Sequence, residues 1–407
     1  MLIHWIWLAT RTHLTDAQKI ALLQMYHEPE GLYFADKQAL HKLDIKPDAM
    51  ESLLDKDLDN AQKILDDCIN KDIRVCTYGD ALYPARLKNI IDPPLVLYYR
   101  GYLPAMDDTP VIAIVGTRKA SVYGLSTAKR MGYQLAKCGA ITVSGLAEGI
   151  DGAGASGALM ADGMVIGVLG CGADVVYPSF HRSLYADIRH NGCLLTEFPP
   201  GTPPYSWNFP KRNRILSGLS CGVMVVEAPN RSGSLITANL AGEQGRDVFV
   251  VPGNIDVDTF VGSNELLRQG ATMVTCGWDV MAEYAAIYPD KVKKFAGGNR
   301  ITAVPLHTDS VPMVAQKPRS PGKTRDFDKK KQKKPIDNAA KPPYSVIRDT
   351  LSSQELSVVD ALEKGECLVD DVVAQTGLSA RDVLSALTML QVKGVVTAKP
   401  GNRFLLK

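Results

Sequence analysis

The sequence lacks most of the signatures that mark a common enzyme or membrane class. Its eight cysteines include no C-x-x-C pair and most stand in apolar or glycine-rich surroundings, which argues against a disulfide framework or a zinc site and fits reduced thiols in the cytoplasm. The seven histidines are scattered and none belongs to an H-E-x-x-H run, so neither a metal nor a cofactor is expected. No G-x-x-x-x-G-K-[ST] loop occurs, which disfavours ATP hydrolysis at a P-loop. Net charge is only +2, so any affinity for nucleic acid must come from local patches. No apolar run approaches the length of a bilayer span. The opening Met1 to Leu8 is apolar but carries neither a basic flank nor a small-residue cleavage site, and reads as a buried first helix. What remains is a soluble, globular composition, 45% apolar and 22% charged over 407 residues, long enough for two or three domains.

The richest stretch runs from Trp207 to Asn239. Lys211, Arg212 and Arg214 interleave with Asn213, an apolar run from Gly222 to Glu227 reads as a strand buried on both faces, and Arg231-Ser232-Gly233-Ser234 precedes a helical pattern beginning at Leu235. Small residues at a strand-to-helix turn let backbone N–H groups converge at the positive end of the helix dipole, where phosphate binds. Cations and an N–H cradle in one short span point to a polyphosphate or nucleic-acid site. Tyr205 and Trp207 beside the cations are open to base stacking, whereas Phe209 reads as core.

Residues 1–72 read as a small helical domain of the SAM or helix-hairpin-helix kind. Thr15 caps one helix, and further amphipathic pieces run from Ala35 to Leu43 and from Ala49 to Ile69. The acidic Asp55, Asp57, Asp59, Asp66 and Asp67 favour packing or protein contact over phosphate contact. Residues 73–289 alternate apolar strands with helices. Strands are expected at 73–78, 93–99, 111–115, 140–143, 164–169, 193–197, 222–227 and 247–251, with helices between most of them. That spacing predicts an α/β domain with a Rossmann-like, doubly wound, mostly parallel sheet. Gly116, Ser144-Gly145, Gly170 and Pro252-Gly253 fall at strand ends, where such sheets bind ligands, yet no G-x-G-x-x-G dinucleotide fingerprint appears. The ligand edge is instead lined by Arg118, Lys119, Lys211, Arg212 and Arg214, cations without a matching set of carboxylates, while Glu227 and Asp151 read as structural hydrogen-bond acceptors. No nucleophile–base–orienter set is legible.

Residues 290–348 read as a basic, proline-rich, disordered linker, in which Lys317 to Lys334 sets nine Lys/Arg against two Asp. Residues 349–407 give helix, helix, turn, helix and a hairpin around Pro400-Gly401-Asn402, a winged-helix pattern. From 351 onward six Lys/Arg oppose seven Asp/Glu, and the third helix carries only Arg381 and Lys393, so protein contact is at least as well supported as groove reading.

Taken in order, Ile114-Val115-Gly116-Thr117-Arg118, Ser144-Gly145-Leu146-Ala147 with Gly149-Ile150-Asp151, Val168-Leu169-Gly170-Cys171-Gly172, Phe209-Pro210-Lys211-Arg212-Asn213-Arg214, Ser232-Gly233-Ser234-Leu235-Ile236-Thr237-Ala238 and Val251-Pro252-Gly253 resemble the bacterial DNA-processing protein A family (DprA/Smf), over roughly residues 74 to 275. The resemblance implies a non-catalytic protein that binds and protects single-stranded DNA in natural transformation, loads the RecA recombinase and forms homodimers. It carries a nucleic-acid pocket onto Thr117, Arg118, Ser144, Gly145, Lys211, Arg212, Asn213 and Arg214, with Ser232, Gly233 and Ser234 near it. One departure stands out: the family's usual histidine four residues after the Asp of Ile150-Asp151 is replaced by Ala155. Two rival readings are a phosphoribohydrolase-like nucleotide hydrolase, whose P-G-G-x-G-T signature is absent, and a transcriptional regulator acting through the winged domain, against which its near-neutral charge speaks.

Overall fold

The computed structural model describes residues 1–295 and 351–406, apart from 364, 366, 393, 394 and 400–402. The basic run from Lys317 to Lys334 and the turn at Pro400 to Asn402 lie outside the described residues. The chain divides into two compact units between Asp309 and Ser310, so the early helices and the sheet belong to one unit.

The first unit opens with α1 (Leu2–Ala9), α2 (Asp16–Tyr26), α3 (Pro29–Tyr33), α4 (Lys37–Leu40), α5 (Pro47–Leu54) and α6 (Asp59–Asn70). Thr15 caps α2 as expected: its hydroxyl accepts from the Gln18 N–H, and the Gln18 side chain accepts from the Thr15 N–H. The single helix expected from Ala49 to Ile69 is broken, because the Asp55 carboxylate accepts from the Asp57 N–H and the Asp55 carbonyl accepts from the Trp7 indole, both outside a helical ladder. Ile6, Trp7, Leu8, Leu32 and Leu53 form a core that also takes in Leu95, Val96 and Tyr98 of the sheet.

The sheet holds β1 (Arg74–Thr77), β2 (Val96–Gly101), β3 (Val111–Val115), β4 (Ile141–Ser144), β5 (Val165–Val168), β6 (Gly192–Thr196), β7 (Gly222–Val225), β8 (Asp247–Val250) and β9 (Thr272–Met273), in the spatial order β1-β2-β6-β5-β4-β3-β7-β8-β9. It is parallel from β6 across to β9, while β2 runs antiparallel to both β1 and β6. The connecting helices are α7 (Ala85–Lys88), α8 (Val122–Lys137), α9 (Ile150–Met160), α10 (Arg182–His190), α11 (Asn208–Leu219), α12 (Gly233–Glu243), α13 (Val261–Arg268) and α14 (Gly277–Met281). Every residue of β3 to β7 is buried, which explains the unbroken apolar runs of β3, β5 and β7: both faces are covered, by separate clusters around Val115, Val143 and Val225 on one side and Ile112, Ile114 and Met224 on the other. The winding proceeds outward from β3 through β4, β5 and β6, then returns to β3 to place β7, β8 and β9. The reversal falls between β3 and β7, the point at which sheets of this kind open a crevice at their carboxyl ends. The short β9 was not legible in the sequence.

The second unit is a winged helix, with α15 (Ser353–Leu362), β10 (Cys367–Leu368), α16 (Val369–Thr376), α17 (Ala380–Val392) and the hairpin β11 (Val396–Lys399)–β12 (Arg403–Leu406). Ser352 and Glu355 cap α15 reciprocally, and Gly377 ends α16 at φ 68°, a left-handed turn that glycine takes without strain. Strand β12 lies between β10 and β11. Among the described residues no helix is long and apolar enough to cross a membrane, and all eight cysteines are unbonded.

Candidate nucleic-acid interface

A cleft of about 600 Å³ opens at the reversal point between β3 and β7. Its walls come from the loop after β3 (Gly116, Thr117, Arg118, Lys119), the start of α11 (Phe209, Pro210, Arg212, Asn213) and the start of α12 (Ser232, Gly233, Ser234, Thr237). Buried Glu227 fixes the first wall: its carbonyl accepts from the Thr117 N–H at 2.7 Å, and its carboxylate accepts from the Ser121 hydroxyl at 2.7 Å and from the Ser121 N–H at 3.1 Å. The Ser121 hydroxyl in turn caps α8. Glu227 is thus a structural acceptor, as its position at a strand end suggested.

Helix α12 begins as the small-residue turn predicts. Ser232 is its N-cap, with Oγ 3.3 Å from the Ser234 N–H and 2.7 Å from the Ser234 hydroxyl, after Arg231 at φ 62° has turned the chain. The helix therefore presents its positive end to the cleft. Arg118 and Lys119 stand exposed on the facing loop. The Arg118 guanidinium lies over the Phe209 ring at 5.5 Å, and the Tyr177 ring sits 5.4 Å from the same phenyl group. Phe209 is therefore half-buried in the cleft wall, not part of the core as its sequence context implied. Tyr205 and Trp207, 44% and 68% exposed, stack on each other at 4.7 Å and 8° on the segment whose Pro204 and Ser206 line the cleft.

The basic cluster from Lys211 to Arg214 does not act as one surface, because it lies on α11, where successive side chains diverge by about 100°. Arg212 turns inward and is 4% exposed. Its guanidinium donates to the carbonyls of Gly145 and Val168, and its Nε donates to the Asn213 side chain at 3.2 Å. It faces Asp151, whose carboxylate also accepts from the N–H groups of Ala147, Gly116 and Gly145. Burial pushes the Asp151 pKa up to about 6, and Arg212 and those N–H groups pull it back only in part. A Cβ on Gly145 would lie 2.7 Å from both the Arg212 guanidinium and the Asp151 carboxylate, so this position admits no side chain. Beneath it, the Ser144 hydroxyl donates to the Asp151 carbonyl at 3.0 Å and accepts from the Leu146 N–H. Ser144 and Gly145 thus form the floor that holds the Asp151–Arg212 pair and do not line the cleft.

Arg214 points to the opposite side of α11, where Glu197 receives it through two 2.8 Å hydrogen bonds and Asp92 and Asp16 stand at 3.5 and 3.6 Å. Lys211 shares Glu197 at 3.2 Å with its side chain half exposed. The expectation of cations without matching carboxylates is therefore corrected: Glu197, Asp16, Asp92 and Asp151 come from distant segments that the fold brings to α11. The structure gathers Thr117, Arg118, Arg212, Asn213, Ser232, Gly233 and Ser234 at the cleft. It places Lys211 on a second hollow shared with Thr15, Lys19 and Asp92, and Arg214 beside it, paired with Glu197, Asp16 and Asp92. Lys119 lines the cleft as the sequence placed it on the ligand edge; Tyr177 and Thr237 join it without having been legible as site residues. Ala155 is fully buried among Leu169, Cys171 and Tyr185, and His181 reaches α9 from outside, its ring 2.7 Å from where a Cβ of Gly152 would stand.

The chain resembles known proteins along most of its length. It is 34% identical to protein Smf of a Synechocystis species over 85% of this chain and 83% of that one, and 37% identical to the DNA processing protein DprA of Bacillus subtilis over 60% and 83%. The X-ray structure of DNA processing protein A from Streptococcus pneumoniae superposes with a TM-score of 0.62 at 34% identity, covering 70% of this chain and 98% of that one. Residues 341–402 match the DprA winged-helix domain. Residues 74–285, the sheet with its cleft, match the DNA recombination-mediator protein A model, and the chain belongs to that family.

Proposed function

We propose that this chain is a non-catalytic single-stranded-DNA-binding protein of the cytoplasm, which protects incoming strands and loads RecA recombinase on them during natural transformation and homologous recombination, acting as a homodimer. The observation that supports it best is the cleft itself. Exposed Arg118 and Lys119 and the positive end of α12 offer backbone phosphates cations and N–H donors, while the exposed Tyr205–Trp207 stack at the rim offers bases a face. A cationic track with sequence-tolerant stacking suits a flexible single strand better than a stiff duplex. The cleft's chemistry supports binding over turnover: among the described residues its lining contains a single carboxylate, Asp151, already engaged by three N–H groups and Arg212. Fluorescence anisotropy of labelled single-stranded and duplex oligonucleotides at two salt concentrations tests the reading. Single strands should bind preferentially, with a salt dependence that becomes shallower in Arg118→Ala. Equal affinity for duplex, or an indifferent Arg118→Ala variant, overturns it.

A further inference from the structure

At the other end of the sheet a second cationic hollow remains unexplained. We propose that it is an anion site holding a phosphate group, either from a nucleic-acid backbone or from a free nucleotide. The hollow, of about 430 Å³, is formed where the start of β1, the end of β2 and the last turn of α10 meet, and is lined by Asp72, Arg74, Gly101, Tyr102, Arg189 and His190 among others. Strand β2 is antiparallel to β6, which begins at Gly192, so the hollow lies at the amino ends of the parallel strands. The DNA cleft lies at their carboxyl ends. One phosphate could not reach both.

Charge and geometry carry the proposal together. Arg74 and Arg189 line the hollow, while Arg100, beside Gly101 at the end of β2, lies on the sheet face opposite the one Arg74 shares with Tyr99. Burial and then the Arg189 charge lower the Arg100 pKa. Two carboxylates act on this group. Asp72 meets Arg189 only at 3.7 Å, beyond hydrogen-bond length, and is itself 76% exposed. Asp174 is engaged by Lys71 at 2.9 Å and by the Gly201 N–H at 2.8 Å. The buried Nε atoms of both Arg100 and Arg189 have no hydrogen-bond partner. Arg189 and His190 do complement the negative end of α10, and Arg74 hydrogen-bonds the Tyr99 hydroxyl. Those roles leave the two guanidinium groups that line the hollow, Arg74 and Arg189, beside one exposed carboxylate, Asp72. An oxyanion with several acceptor oxygens satisfies the forked donors at once. Tyr102, 60% exposed at the rim, offers a ring face to a base attached to that phosphate.

The test uses the full chain and three variants, Arg189→Gln, the more exposed Arg74→Gln and Arg118→Ala, each first checked for an unchanged melting profile. Calorimetric titration with pyrophosphate reads the site directly. Two classes of pyrophosphate site are expected: the one in this hollow should weaken roughly tenfold in Arg189→Gln and in Arg74→Gln and persist in Arg118→Ala, which weakens only the class in the cleft. If the phosphate comes from nucleic acid, a long oligo-dT loses about threefold in affinity per lost contact, with a salt slope shallower by about 0.7, while a short one that fills only the cleft is unaffected. If it comes from a nucleotide, ATP displaces pyrophosphate and oligonucleotide binding does not change. Wild-type protein that ignores pyrophosphate and ATP, with oligonucleotide binding indifferent to both arginine substitutions, overturns the proposal. An Arg118→Ala variant with unaltered DNA binding removes the cleft reading and leaves this one standing, so the two failures are distinguishable. Should Arg189→Gln fail to fold, Arg74→Gln alone decides.

Discussion

Arg212 separates two ideas of what a cationic motif is for. The motif alone makes it a phosphate contact; its surroundings make it a strut. It is 4% exposed, donates to the carbonyls of Gly145 and Val168, and its charge favours the ionised form of the buried Asp151 without a direct ion pair. In Arg212→Ala the Asp151 carboxylate keeps its three N–H donors but loses its counter-charge, and the two carbonyls lose their donor. Leaving a buried carbonyl without its donor costs about 1–3 kcal/mol, so the two together cost about 2–6 kcal/mol. At about 2–4 °C per kcal/mol for a unit of this size, the melting temperature should fall by about 4–24 °C. Differential scanning calorimetry reads the fall, and anisotropy below the transition reads DNA affinity in the same sample. Arg118→Ala, exposed on the cleft wall, should show the reverse pattern, with binding weakened and the transition unmoved. An Arg212→Ala protein that melts with the wild type but no longer binds DNA would refute the strut and make this side chain a phosphate contact.

Three further outcomes follow from the same geometry. Trp207→Ala removes an exposed face of the aromatic stack and should weaken single-strand binding by about 1–3 kcal/mol with no change in melting; an equal loss for duplex DNA would argue against base stacking. Gly157→Ala should destabilise the first unit by roughly 1–3 kcal/mol despite the better helix propensity of alanine, because its Cβ would run into the Lys129 carbonyl where α8 and α9 touch; a raised urea midpoint would show that the two helices can separate freely. Asp151→Asn tests pH dependence. The folded carboxyl titrates near about 6 against an ordinary value of 3.8, so the folded state holds its proton more tightly, and the stability this group lends is present below about 3.8 and lost as pH rises through about 6. The stability difference between wild type and Asp151→Asn, followed by urea midpoints from pH 4 to 7, should therefore change across that window, with wild type losing ground as pH rises; a constant difference would mean that the carboxyl titrates elsewhere.

The strand–helix alternation and the glycines at strand ends were legible because β3 to β7 are buried on both faces and carry no charged residue, only small hydroxyls at Thr142, Ser144 and Thr196. The winged unit was legible because Ser352, Glu355 and Gly377 punctuate its helices with local chemistry. The fate of the basic cluster was not. A run of cations shows that charge is present but not which way it points, and α11 turns Arg212 into the cleft wall and sends Lys211 and Arg214 together to Glu197 on the other side. Each is decided by a carboxylate far away in sequence: Asp151 beyond two strands, Glu197 at the end of β6, and Asp16 on a helix that the sequence presents as a separate module. Those pairings have a consequence for the site. Arg214 ties α11 to α2 through Asp16 and to the loop before β2 through Asp92, so the helix that supplies Phe209 and Asn213 to the cleft is anchored from the side opposite the proposed DNA. The cations left to meet phosphate are the ones the fold does not consume, Arg118 and Lys119 on a loop, and their exposure marks them for binding more clearly than their membership of any basic run.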